Sequence, residues 1–141
     1  MGEVYRARDT RLGRQVALKF IDPRYRKDPD RRTCLLKEAR AASLLRSPAV
    51  ATTYDIGEDA DDLFIVMELV EGQPLSERLR RGPLTISDVL DLAAPVADAL
   101  DEAHGLGIIH RDIKSANLML TDRGRVLEAA PSQLQSTDRT A

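Results

Sequence analysis

Within six consecutive positions, 112 to 117, this chain carries a carboxylate at Asp112, an amine at Lys114 and a carboxamide at Asn117. They belong to the stretch His110-Arg111-Asp112-Ile113-Lys114-Ser115-Ala116-Asn117, which lies between the apolar runs 106–109 and 118–120. A loop holding the three on one side would grip a phosphate donor and a hydroxyl acceptor together. Asp112 would accept the hydroxyl proton, Lys114 would neutralise a transferring phosphoryl group, and Asn117 would bind a metal ion through its side-chain oxygen. Any one of them alone reads as part of a polar loop between two strands. The ordered set H-R-D-x-K-x-x-N followed by apolar residues is poorly explained by chance.

The elements that must position such a loop are legible along the chain. Residues 4–9 alternate as a strand does, residues 10–14 supply a turn with Gly13, and residues 15–21 are rich in branched and aromatic side chains. Together they read as an antiparallel hairpin. Lys19 puts a cation on the otherwise apolar second strand, and alone it reads as an edge-strand lysine that blunts pairing. A polar linker over 22–30 contains Pro23 and Pro29. Residues 31–45 then carry Leu35, Leu36, Ala39, Ala42 and Leu45 near helical spacing. Glu38 lies one step from that stripe, where most glutamates are simply solvated.

Ser47-Pro48 stops this helix, and residues 50–56 and 63–67 read as strands around an acidic turn at 58–62. A short helix over 74–81 ends at Gly82-Pro83. Thr85 opens a longer one, with Asp88 three residues on as a weak capping box. Its apolar face runs through Ile86, Val89, Leu90, Ala93, Val96, Ala97, Leu100 and Ala103. Pro95 predicts a kink near Asp91 within one helix. His104 reads as a helix-end residue, and residues 118–120 and 125–127 flank a turn as a hairpin.

A length of 141 residues suits one domain, and hydrophobic content of 43% beside 31% charged residues is ordinary for a globular chain. The net charge of −2 gives no reason to expect nucleic acid or an acidic membrane surface as partner. With no Trp and two Phe, the core must be built mostly from Leu, Val, Ile and Ala. Cys34 is the single cysteine, so no internal disulfide can form, and its helical setting reads as packing. No apolar run reaches membrane-span length and no signal peptide is apparent, which reads as a cytoplasmic protein.

The loop and its flanks, AHGLGIIHRDIKSANLML, resemble the catalytic loop of protein kinases in its bacterial serine/threonine form, with Lys114 two residues after the aspartate. Ser115 departs from the usual proline, which predicts a looser loop with its chemistry retained. The opening MGEVYRARD resembles the end of the kinase glycine-rich loop, with Gly2 as its last glycine and Met1 as an internal methionine. VALK, residues 16–19, resembles the strand whose lysine binds the α- and β-phosphates of ATP. Residues 66–75, VMELVEGQPL, resemble the hinge between kinase lobes.

The resemblance covers residues 1–127 and implies an α+β, protein kinase-like fold in part. Residues 1–70 would be an antiparallel-sheet N-lobe with one helix, lacking its first strand, together with the hinge. Residues 71–127 would be the first helices and catalytic loop of a mainly helical C-lobe, and 128–141 a disordered tail. The nucleotide-binding positions implied are Gly2, Val4, Ala17, Lys19, Glu38, Met67, Glu68, Val70 and Met119. Val4 and Ala17 roof the adenine, Lys19 pairs with Glu38, Met67 is the gatekeeper, and the Glu68 carbonyl and Val70 backbone face the base. Asp112, Lys114 and Asn117 are the catalytic set, with Asn117 also a magnesium ligand and His110 a structural histidine of the loop.

Where the family has D-F-G, whose aspartate binds the principal magnesium, this sequence reads Val126-Leu127-Glu128-Ala129-Ala130-Pro131. The function implied is ATP-dependent phosphoryl transfer to Ser or Thr of a protein substrate, with little or no activity expected from residues 1–141 alone. The alternative is a catalytically dead kinase remnant that binds nucleotide or protein, or a wrongly bounded gene fragment. The long helix would leave its apolar face uncovered, and no oligomeric state is specified.

Overall fold

A computed structural model of the protein describes residues 4–22, 28–60, 62–110, 113–122 and 126–128. The side chains of Arg31, Leu35, Glu38 and residues 126–128 lie outside the description. Gly2, Asp112, Pro23 and the expected tail at 129–141 lie outside the described residues.

Strand β1 (Val4–Asp9) pairs antiparallel with β2 (Arg14–Phe20), Val4 opposite Lys19 and Asp9 opposite Arg14. Asp9 builds the turn between them. Its carboxylate accepts the amides of Arg11 at 3.0 Å and Leu12 at 3.2 Å, and its carbonyl accepts Gly13 N–H at 2.8 Å. Gly13 sits at φ +67°, which a residue without Cβ adopts freely. The Leu12 amide, ahead of Arg11 and the nearby Arg14 guanidinium, holds the Asp9 carboxyl below its ordinary range.

Helix α1 (Pro29–Ala42) begins on a proline, and the Asp28 carboxylate accepts Asp30 N–H at 3.1 Å. It ends three residues short of the expected Leu45. Ser43 Oγ donates to the Arg40 carbonyl at 2.7 Å, and Leu44 and Leu45 N–H turn back three residues to Ala41 and Ala42. Those tighter bonds close the helix before Ser47-Pro48 is reached. Cys34 is exposed, which corrects the packing expectation.

Strands β3 (Thr53–Asp59) and β4 (Asp62–Glu68) complete a four-stranded sheet in the order β1-β2-β4-β3. Residues 50–52, expected as strand, precede β3, and Ala49 and Ala51 are buried there. The acidic residues Glu58, Asp59 and Asp62 lie within the strands rather than in the turn, and Ala60 carries the positive φ of +51°. One face of the sheet forms the core: Ala17, Ile21, Leu63, Ile65 and Met67 pack with Ala39 of α1, with Leu36, Ile56 and Leu69 at the margin. Burying side chains as large as Ile65 and Met67, each 1% exposed, stabilises the fold by about 1.5–3 kcal/mol apiece. The Arg32–Glu58 ion pair at 2.7 Å fastens α1 to β3 from outside.

The chain then forms β5 (Gln73–Pro74), α2 (Leu75–Leu79), α3 (Ile86–Gly105), β6 (Leu118–Leu120) and β7 (Val126–Glu128). The three strands make a second sheet, β5-β6-β7. Pro74, expected in the short helix, instead pairs with Met119, while Gln73 pairs with Leu120. Gly72 permits that approach, because a Cβ there would overlap the Leu120 carbonyl oxygen. Glu128 ends β7 rather than beginning a tail.

Helix α3 is one continuous helix with Pro95 inside it. The capping box forms as expected: Asp88 N–H donates to Thr85 Oγ1, and Thr85 N–H to Asp88 Oδ2, both at 3.1 Å. Ala99 and Ala103 are its buried residues, whereas Ile86 is 82% and Leu90 63% exposed, so much of the apolar face is open. The Glu102 carboxylate accepts the Arg46 backbone N–H at 2.7 Å, joining α3 to the loop after α1. Among the described residues, no helix is long and apolar enough to cross a membrane.

Candidate active site

Strand register sets the upper part of the site. In an antiparallel sheet, residues directly opposite one another share a face. One row across the sheet is therefore Arg6, Ala17, Met67 and Thr53, and the next is Val4, Lys19, Ile65 and Ile56. Both rows lie on the face that α1 covers with Leu36 and Ala39. Lys19 is only 4% exposed on this face. Since β2 lies between β1 and β4, the edge-strand reading of Lys19 is wrong. A lysine buried in mid-sheet must have its charge compensated, and Glu38 lies on α1 immediately before the buried Ala39.

Ala17 is 5% and Met67 1% exposed, while Val4, at the β1 end of the Lys19 row, is 58% exposed. Glu68 closes β4: its N–H donates to the Thr52 carbonyl at 2.8 Å and its carboxylate accepts Thr52 N–H at 3.1 Å. The side chain is thereby tied to the β3 side, leaving Leu69 and the half-buried Val70 as the exit from the sheet.

The lower part is a turn at the start of β6. Asn117 N–H donates to the Lys114 carbonyl at 2.9 Å, and the Ser115 carbonyl accepts Ser76 N–H from α2 at 3.0 Å. That second bond ties down the position where the family usually has proline. Lys114 is exposed and Asn117 half-buried, while Met119 is held between Pro74 and Leu127. His110 is buried, lining an apolar space with Ala42, Leu45, Val96, Ala103 and Ile108, where α1 meets α3.

The structure thus gathers Ala17, Lys19 and Met67 on one sheet face, and Lys114 and Asn117 on one turn. Lys19 thus lies buried beside the small side chain of Ala17, on the face that α1 covers. Among the described residues, no group of three or more acidic, His or Cys side chains is placed to hold a metal ion; Asn117 offers one amide oxygen. Sequence reasoning missed the Arg6–Glu71 ion pair at 2.9 Å and the Glu102–Arg46 bond. Partners 65 and 56 residues apart leave no local pattern to read.

Residues 1–129 match the protein kinase domain family. A probable serine/threonine-protein kinase of Streptomyces coelicolor, SCO3848, is 44% identical over 131 residues, which is 89% of this chain and 20% of that protein. The serine/threonine-protein kinase PknL of Mycobacterium tuberculosis is 44% identical over 124 residues, 87% of this chain and 31% of that protein. Among solved structures, the PknI kinase domain of M. tuberculosis superposes with a TM-score of 0.80 at 33% identity, covering 91% of this chain and 52% of that one. The chain therefore spans less than a third of these curated relatives and about half of a solved kinase domain. With this fold, these matches and this site, the chain belongs to the protein kinase domain family, in its bacterial serine/threonine branch.

Proposed function

We propose that this chain carries the ATP-binding part and catalytic loop of a protein serine/threonine kinase. The observation that carries the reading is Lys19, buried in the central part of the sheet on the face it shares with Ala17 and Met67. Lys19 binds the nucleotide phosphates, and Glu38 on the covering helix orients its amine. The adenine lies against Ala17 and Val4, bounded by Met67 and Met119, with the Glu68 carbonyl and Val70 backbone as its polar partners and Gly2 admitting the phosphates. Asp112 orients the substrate hydroxyl and accepts its proton, and Lys114 neutralises the phosphoryl oxygens. Asn117 would offer its amide oxygen to a magnesium ion, which would supply screening of the phosphate charge.

Phosphoryl transfer rests on positioning and charge neutralisation, and kinases require both the Lys–Glu pair and the D-F-G metal site. Residues 126–131 supply no D-F-G. This favours a second reading for the isolated chain, a nucleotide-binding module with little or no transfer activity. Titration of purified 1–141 with a fluorescent ATP analogue and magnesium tests both. Binding that weakens at least about tenfold in Lys19→Ala is expected, because removing a charge-assisted phosphate contact costs about 1.5–3 kcal/mol. Sustained, Asp112-dependent phosphorylation of a protein substrate would refute the inactivity of the isolated chain. Equal binding by Lys19→Ala would refute the nucleotide site.

A further inference from the structure

Arg6 stands at the β1 end of the row that continues through Ala17 to Met67. Its guanidinium makes two side-chain bonds. Nε donates to Gln15 Oε1 at 2.7 Å, and a terminal nitrogen donates to Glu71 Oε1 at 2.9 Å. Gln15 and Ala17 are alternate residues of β2 and share a face, so the first bond aims Arg6 along the row. The second reaches across to the segment that follows β4. β1 is an edge strand with β2 as its one partner in the sheet, whereas Glu71 follows directly on the exit at Leu69 and Val70.

We infer that Arg6 and Glu71 form a clasp across the outer mouth of the nucleotide cleft, making Arg6 a positioning residue that limits nucleotide escape. The inference rests on the ATP-site reading given above. In that reading the base lies over Ala17, between the two residues that the row places on either side. The pair ties the strand leading from Gly2 and Val4 to the segment just beyond the hinge. β1 then cannot swing away from the hinge without breaking a contact that Gln15 has pre-aimed. Both side chains are well exposed, 61% for Arg6 and 74% for Glu71, so salt screens the clasp. Its effect falls on the rate at which nucleotide leaves.

The test is stopped-flow release of a fluorescent ADP, with magnesium, from the full 141-residue chain and from Arg6→Gln, Glu71→Gln and the double variant. At low salt each single variant should release nucleotide roughly two- to fivefold faster, the span of an exposed ion pair. The double variant should be no faster than either single one, and the difference should shrink towards none at about 0.5 M salt. Unchanged release in both single variants, or multiplied effects in the double variant, overturns the clasp while the nucleotide site stands. No binding by the unaltered chain overturns the ATP-site reading, and the clasp with it.

Discussion

Gly72→Ala provides a sharp test of how the segment after β4 is held to β6. A Cβ at position 72 would overlap the Leu120 carbonyl oxygen, and it would lie 2.8 Å from the Leu120 carbonyl carbon and 3.2 Å from Thr121 Cα. All three are backbone atoms, so no side chain can rotate out of the way. Non-bonded heavy atoms settle at about 3.5–4.0 Å, and the carbonyl oxygen is the nearest of the three, so β6 must retreat by more than about 1 Å. The β5–β6 ladder has only two residue pairs, Gln73 with Leu120 and Pro74 with Met119, and this retreat breaks it. Overpacking of this kind costs about 1–3 kcal/mol, which for a chain of this length lowers the melting midpoint by about 4–10 °C. Thermal unfolding followed by circular dichroism, with hydrogen exchange of the β6 amides, measures both parts. Gly105→Ala is the counterpart, since a Cβ there meets nothing within 4 Å. At the end of α3 the same change should stabilise by about 0.5–1 kcal/mol. If Gly72→Ala melts with the unaltered chain and leaves β6 exchange unchanged, the argument from close approach is wrong.

Other expectations are open to direct measurement. Thr85→Ala removes the α3 cap and should cost about 1 kcal/mol in thermal or urea unfolding. The Thr85 hydroxyl, and then its amide, hold the Asp88 carboxyl below its ordinary value of 3.8. Its stabilisation is therefore complete above that value and is lost as pH falls through the lower folded value. The stability gap between the unaltered chain and Asp88→Asn should narrow on acidification, and a widening gap would reverse the sign of the argument. On the open face of α3, Ile86→Lys and Leu90→Lys should shift stability by no more than about 0.5 kcal/mol while reducing self-association in sedimentation velocity. A large loss of stability would mean that the face is packed.

Local signals carried the strands and caps well. Alternation over residues 4–9 and the turn at Gly13 mark the first hairpin, and Thr85 with Asp88 marks the start of α3. The family motif marks Lys19 as a phosphate-binding candidate, and the sheet order explains why it is buried, which no local pattern could. What escaped was set by tertiary partners. The helix end at Ala42 depends on a Ser43 back-bond, and Pro74 becomes strand because Met119 lies opposite it. Cys34 is exposed because α1 turns Leu36 and Ala39 to the sheet instead. Nothing in the local sequence pairs Arg6 with Glu71.

The Glu102–Arg46 bond has a mechanical consequence. The four-stranded sheet with its helix is joined to the α3 half covalently through Leu69 and Val70, and again where the α3 carboxylate grips the loop after α1. That bond sits beside the apolar contact in which Ala42 and Leu45 meet Val96 and Ala103, so a charged and an apolar contact hold α3 at the same place. Glu102 thus reinforces a packed seam between the two halves, its carboxylate satisfying a backbone N–H at the edge of an otherwise apolar contact.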